Sequence, residues 1–399
     1  MEIQRLKTFS TLRVMNLPMD FKRYLYDDMI WSDRLIGLSG ARGTGKTTLM
    51  LQRLKSLGLA AEEALYVSLD DMFFTDNKLV YFAEDYYAHG GKYLFLDEIH
   101  KYGNWSQELK NIYDNLPELK VVFTSSSALD IHRGQYDLSR RALVYKLAGL
   151  SFREYINFVY GLHLAPLTLE EVLHISVDKI SEISQPEKPL MLFSTYLKTG
   201  YYPFFAEYKE SYFLRLTEVL NTVLESDLPG IFNIDVSSVV KLKKFIYLLS
   251  SMVPFTPNIS KLAERLNVTR PGLLRYIELL DRANILNLLT ENPFGINYLN
   301  KPEKIFLENT NLMYAYDENN VNKGTLRETF FLNQLAVKHS VSYPKDGDFM
   351  VDAKYLFEVG GKNKSGKQIV DHGNAYIASD EIEYRTGNKI PLWLFGFLY

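Results

Sequence analysis

The stretch LSGARGTGKTTLM, Leu38 to Met50, constrains this chain more than any other, because Gly40 to Thr47 fits Gly-x-x-x-x-Gly-Lys-Ser/Thr at every fixed position. The apolar run RLIGLSG precedes it and predicts a short buried strand. TTLMLQRLKSLG follows, with apolar residues at helical spacing up to Gly58. Strand, glycine loop and helix in that order gather backbone N–H groups and a helix N-terminus around one point, an arrangement that holds phosphate. Gly40, Ala41, Arg42, Gly43, Thr44, Gly45, Lys46, Thr47 and Thr48 are thus the candidate cradle for a nucleoside triphosphate. In it the Lys46 ammonium would reach the β- and γ-phosphates and the Thr47 hydroxyl would ligate Mg2+.

KYLFLDEIHKYGNW adds a second element: an apolar strand that ends in Asp97 and Glu98. In a parallel sheet such a strand delivers its last residues to the C-terminal edge, where ligands bind. Asp97 is expected to support Mg2+ through its water shell and Glu98 to orient and deprotonate the attacking water. His100 could hydrogen-bond near the phosphate or simply begin a helix. ALYVSLDD, Ala64 to Asp71, and KVVFTSSSALDI, Lys120 to Ile131, predict two more strands. At the tip of the latter, Thr124 or Ser125 would either sense the γ-phosphate or cap the next helix. Strands alternating with helices predict an α/β fold with a parallel sheet and right-handed crossovers.

Across 399 residues, more than one domain is the default. The formal charge of −3 provides no protein-wide positive field for nucleic acid, so any such binding must come from a local patch. Cysteine is absent, which excludes disulfides, thiolate nucleophiles and cysteine-ligated zinc, and fits a reducing compartment. The segment MEIQRLKTFS lacks the apolar core of a signal peptide, and no apolar run approaches the roughly 20 residues that span a bilayer. A cytoplasmic protein without a membrane partner is expected.

GARGTGKTT, LFLDEIHKYGNW, VVFTSSSALDI and LAGLSFREYI together resemble a family of prokaryotic AAA-superfamily ATPases of largely unassigned role, over nearly the whole chain. The resemblance implies ATP rather than GTP, and a P-loop domain followed by a winged-helix and a restriction-endonuclease-like domain. Family members often carry Gly-Arg some ten residues before the LSFREY-like stretch. This chain has Arg140-Arg141 instead, so Arg141, with Arg140 beside it, is the candidate arginine for phosphate, in cis or from a neighbouring subunit. The alternative is a surface arginine in a salt bridge.

From Phe152 to about Ser250 apolar residues recur at helical spacing, as in a lid or linker. In NISKLAERLNVTRPGLLRYIELLDRANIL, one helical face carries Ile259, Leu262, Ala263 and Leu266. Thr269 then caps a second helix with Pro271 in its first turn, a helix-turn-helix pattern. ILNLLTENPFGINYLNKPEKIFLEN can add two strands around a Pro-Phe-Gly turn, completing a winged helix. Arg270 and Arg275 would face outward, toward DNA or a protein partner.

In the last hundred residues a helical Glu328, then Asp348 in GDF and Glu358 in FEVGGK, follow the order that the resemblance implies for a metal-dependent nuclease. The lysine two residues after that glutamate is missing: Gly360 stands there, and Lys362 lies four residues on. Positions +2 and +4 share a strand face about 7 Å apart. Lys362 would therefore substitute only through a kink at Gly360-Gly361, and a vestigial, inactive domain is expected. Lys362, Lys364 and Lys367 form either a phosphate-binding patch or a solvated loop, and the tail KIPLWLFGFLY is read as a strand.

The predicted organisation is a P-loop domain over 1–150, a helical lid over 151–235, a winged helix over 236–304 and a nuclease-like α/β domain over 305–399. The leading functional reading is Mg2+-dependent ATP hydrolysis that switches or remodels a protein or nucleic-acid target. An ATP-gated nuclease and a non-hydrolysing nucleotide-dependent binding module are the alternatives, and the sequence leaves open a homo-oligomer.

Overall fold

The computed structural model describes residues 2–125, 138, 140–184, 188–232, 234–250, 257–291, 302–366, 368–369 and 372–399. The chain divides into two compact units, Met1–Gly149 and Leu150–Tyr399.

In the first unit β1 (Leu35–Ser39), β2 (Ala64–Ser68), β3 (Tyr93–Asp97), β4 (Lys120–Thr124) and β5 (Leu143–Lys146) form a sheet in the order β2-β3-β4-β1-β5. Every pairing is parallel. The strands are apolar on both faces because both are covered. Leu35, Leu94, Leu96, Val121 and Phe123 pack with Leu79, Phe82, Leu109 and Ile112 of α3 (Leu79–Ala88) and α4 (Trp105–Asn115). Ile36, Leu38, Phe95 and Val122, the alternate positions, pack with Leu49, Met50 and Leu54 of α2 (Lys46–Leu57). Each such fully buried side chain contributes roughly 1.5–3 kcal/mol. The N-terminal α1 (Glu2–Met15) buries Leu6 in the first cluster, and its Ser10 hydroxyl accepts the Tyr66 N–H at 3.0 Å.

In the second unit the expected helices are present, among them α5 (Phe152–Tyr160), α6 (Pro189–Thr199), α7 (Tyr212–Thr222) and α8 (Val236–Ser250). Then α9 (Ile259–Arg265) and α10 (Arg270–Arg282) form the expected helix-turn-helix. Ile259, Leu262, Ala263 and Leu266 are buried, and the Thr269 side chain caps α10 by accepting Gly272 N–H at 3.2 Å. Next, β6 (Leu286–Leu289) pairs antiparallel with β7 (Lys304–Leu307); the Pro-Phe-Gly turn expected between them lies outside the described residues.

After α11 (Lys323–Leu335) comes a mixed sheet of β8 (Val341–Ser342), β9 (Phe349–Val351), β10 (Tyr355–Gly360), β11 (Ala375–Ser379) and β12 (Lys389–Pro391), ordered β12-β11-β10-β9-β8. Phe331 of α11 joins it to the core, with ring centroids 5.0 Å from Phe357 and 4.9 Å from Phe395. The tail departs from expectation: only Lys389–Pro391 is strand, and Leu392–Phe397 is a buried 3-10 helix. Apolar residues at every position suit burial in either form, so composition could not separate the two. Among the described residues no helix is long and apolar enough to cross a membrane.

Candidate functional site

The parallel sheet places the Gly40–Thr47 loop, Asp97, Glu98 and Thr124 at one edge, because each follows or ends a strand running the same way. Gly40, at φ 151°, must be glycine: a Cβ there would run into the Leu147 carbonyl oxygen. Gly43 and Gly45 also have positive φ, 86° and 94°, as the turn into α2 requires. Ala41, Arg42 and Thr44 lie within the loop, and Thr48 is exposed on the first turn of α2. Buried Lys46 folds its Nζ onto the carbonyls of Gly40 and Ala41, both at 2.9 Å.

Asp97 is the hub. Its Oδ2 accepts the Thr47 hydroxyl at 2.9 Å and the Tyr66 hydroxyl at 2.9 Å, while Oδ1 accepts the Thr124 hydroxyl. Thr124 Oγ1 in turn accepts the Glu98 N–H at 3.1 Å, so its hydroxyl locks the two acidic residues in place. Adjacent Ser125 is buried, its N–H bonded to the Leu38 carbonyl at 2.9 Å. Burial and then the Asp97 charge hold the Tyr66 phenol far above its ordinary pKa, so Tyr66 remains a neutral donor. Glu98 leaves β3 with φ 53°, a left-handed conformation that turns its carboxylate toward His100 Nε2 at 3.2 Å and Arg42 Nη2 at 4.0 Å.

Two residues outside the motifs support the site. Tyr66 is one. The other is Arg23, buried, whose Nη1 donates to the Thr44 carbonyl at 2.5 Å and whose Nη2 donates to the carbonyls of Ala148 and Gly149, both at 2.7 Å. Neither carries a local sequence signal, since each acts across more than twenty residues.

Arg140 and Arg141 are not at this edge. They precede β5, whose direction puts them at the opposite end of the sheet, about 13 Å of strand away. There Arg141 grips Asp114 with Nε and Nη2, each at 2.9 Å. The expectation that either arginine reaches phosphate within its own chain is corrected by strand direction, and for Arg141 the salt-bridge alternative holds.

In the second unit Glu328, Asp348 and Glu358 do come together, but with lysines between them. Lys304 Nζ lies 2.9 Å from Glu328 Oε2 and 3.6 Å from Asp348 Oδ1. Lys364 Nζ lies 3.4 Å from Glu358 Oε2 and 3.7 Å from Asp348 Oδ2. Lys362, the expected substitute, is exposed instead. A turn closed by Lys364 N–H on the Gly361 carbonyl, 2.9 Å, folds Lys364 back over Gly360, where an added Cβ would meet Lys364 carbons at 2.9 Å. Lys364 thus fills the space that glycine leaves. Lys367 lies outside the described residues.

Burial pushes the Glu328 carboxyl up against the opposing pull of Lys304. Burial alone would lower Lys304, but Glu328 and Asp348 reverse this and raise it. Among the described residues no group of three or more His, Asp or Glu side chains is arranged to hold a metal ion. Lys304→Met, which leaves the partly buried Glu328 without its partner, should destabilise this unit by about 1–3 kcal/mol. An unchanged thermal melt of the variant would show that the pair carries no such load.

Comparison with known proteins follows this division. Residues 32–156 match the model of a family described as an AAA domain, and residues 191–323 one described as a domain of unknown function (DUF8612). The chain is 28% identical to the uncharacterized protein MJ1637 of Methanocaldococcus jannaschii, over 95% of this chain and 88% of that one. Among solved structures, the Walker-type ATPase PABY2304 of Pyrococcus abyssi is 14% identical with a TM-score of 0.40, covering 74% of this chain and 95% of its own. AMPPCP-bound DnaA from Aquifex aeolicus is 14% identical with a TM-score of 0.26, covering 66% and 84%. With its glycine loop and strand-end carboxylates at one edge of a parallel sheet, the stretch 32–156 has the arrangement of a P-loop domain and matches the AAA domain family.

Proposed function

We propose that the first unit binds and hydrolyses Mg2+-ATP, and that its nucleotide state switches or remodels a protein or nucleic-acid target. The observation that carries this is the Thr47 hydroxyl 2.9 Å from Asp97 Oδ2, beside the ammonium of Lys46. A hydroxyl and a carboxylate so paired suit Mg2+, which would lie against Thr47 and Asp97 and neutralise phosphate charge. Lys46 exchanges its loop carbonyls for phosphate oxygens, Thr124 holds Asp97 and Glu98 in register, and Glu98 takes the proton of the attacking water. Any role of Arg140 or Arg141 at phosphate would have to come from a second copy of the chain.

Steady-state ATP turnover with Mg2+ tests the proposal. Lys46→Ala should lower it by about 100-fold, the scale of losing one charged donor. If the wild-type chain does not bind ATP at all, the proposal fails.

One observation favours DNA as the target. Residues 236–282 hold eight Lys or Arg against three Asp or Glu, in a chain whose formal charge is −3, and Arg270 and Arg275 are exposed on α10. A rate raised by duplex DNA supports this reading; a rate indifferent to it points to a protein.

A further inference from the structure

The geometry points to Arg23 as a strut that presents the phosphate loop for binding and ties it to the last residues of the first unit, so that phosphate binding is felt at Leu147–Gly149. This rests on the nucleotide reading above and adds a residue and a route to it.

The first half follows from one peptide. In a planar trans peptide the C=O and N–H point in opposite directions. Arg23 Nη1 holds the Thr44 carbonyl, so the N–H of the same peptide, that of Gly45, is turned away from Arg23. Gly45 is the residue from which α2 begins, where loop N–H groups gather around an anion. The positive guanidinium behind that peptide also polarises its N–H toward a negative ligand. Arg23 thus acts through the loop without touching nucleotide, as a positioning residue.

The second half follows from the other arm. Nη2 of the same guanidinium holds Ala148 O and Gly149 O, the final carbonyls before the second unit begins. Two further contacts join the same segments: Leu147 N–H donates to Ser39 O at 2.8 Å, and the Leu147 carbonyl lies where a Gly40 Cβ would stand. A loop that shifts its peptides as Lys46 leaves Gly40 O and Ala41 O therefore pulls on Leu147–Gly149 through a rigid fork. Lysine cannot replace this fork, because a single ammonium on a flexible stem does not span both sets of carbonyls in fixed geometry.

The experiment uses the full chain with Mg2+-ADP as probe, calorimetry for affinity and hydrogen exchange for the amides of Leu147, Ala148 and Gly149. In the wild type, saturating ADP should slow exchange in the loop and at these three residues. Arg23→Met should bind ADP on the order of tenfold more weakly. At saturation its loop should still be protected, with no response at 147–149. Arg23→Lys should behave like Arg23→Met, and stands in for it should the methionine variant not fold.

Wild-type protection confined to the loop would overturn the coupling without any variant. Unchanged affinity in the variants would overturn the positioning role, and weakened affinity with an intact response at 147–149 would overturn the coupling. Failure of the wild type to bind ADP would instead remove the nucleotide reading on which all of this stands.

Discussion

Glu98→Gln is expected to bind ATP about as tightly as the wild type and to hydrolyse it roughly 10²- to 10⁴-fold more slowly, the range that a positioned general base contributes. Phosphate release with Mg2+ measures the rate, and equilibrium binding of ATP measures the affinity. The separation follows from placement. The proposed phosphate-binding groups, Lys46, Thr47 and the loop peptides, bond elsewhere than to the Glu98 side chain, which faces His100 Nε2 at 3.2 Å and the side chain of loop residue Arg42 at 4.0 Å. Glutamine keeps the shape but cannot take a proton. The left-handed backbone at residue 98, φ 53°, costs about 1 kcal/mol or more in either variant and is maintained by the Thr124 hydroxyl on the Glu98 N–H. A variant that turns over ATP at the wild-type rate would remove Glu98 from the chemistry and leave the loop reading untouched.

The second large effect falls on stability and catalysis together. Asp97 accepts three hydroxyls, from Thr47, Tyr66 and Thr124. An ionised carboxylate has acceptor sites for all three, whereas an amide presents an NH2 group that donates instead. Asp97→Asn therefore leaves at least one hydroxyl without an acceptor. Tyr66 and Thr124 are both buried, so water cannot take over, and the expected cost is about 1–3 kcal/mol. For a unit of this size each kcal/mol lowers Tm by about 2–4 °C. Mg2+-dependent turnover should fall as well, because the anionic partner of the cation is gone, and Asp97→Ala should lose more stability than Asp97→Asn. Equal melting temperatures for wild type and Asp97→Asn would refute the hub.

The phosphate loop and the strand-end acids were legible because their chemistry is local. The loop must turn at glycines, the acids must end an apolar strand, and both requirements are written within a dozen consecutive residues. The helix-turn-helix was legible for the same reason, through a cap at Thr269 and a helical period. Strand β5 was not anticipated as the partner of β1, since LVYK is too short to announce a strand; its pairing with Ile36–Ser39 makes it one.

Sequence alone thus marked out the glycine loop and the strand-end acids, because their residue types and spacings are written locally. Tertiary structure alone decided which distant residues join them. Strand direction carried Arg140 and Arg141 to the far edge of the sheet, although they lie near the motif's end of the chain. A turn at Gly361 selected Lys364 over Lys362, a choice invisible to strand periodicity because the strand has ended. Tyr66 and Arg23 entered the site only through folding: each satisfies a buried oxygen more than twenty residues away, and a buried acceptor recruits whichever donor the packed core brings within about 3 Å.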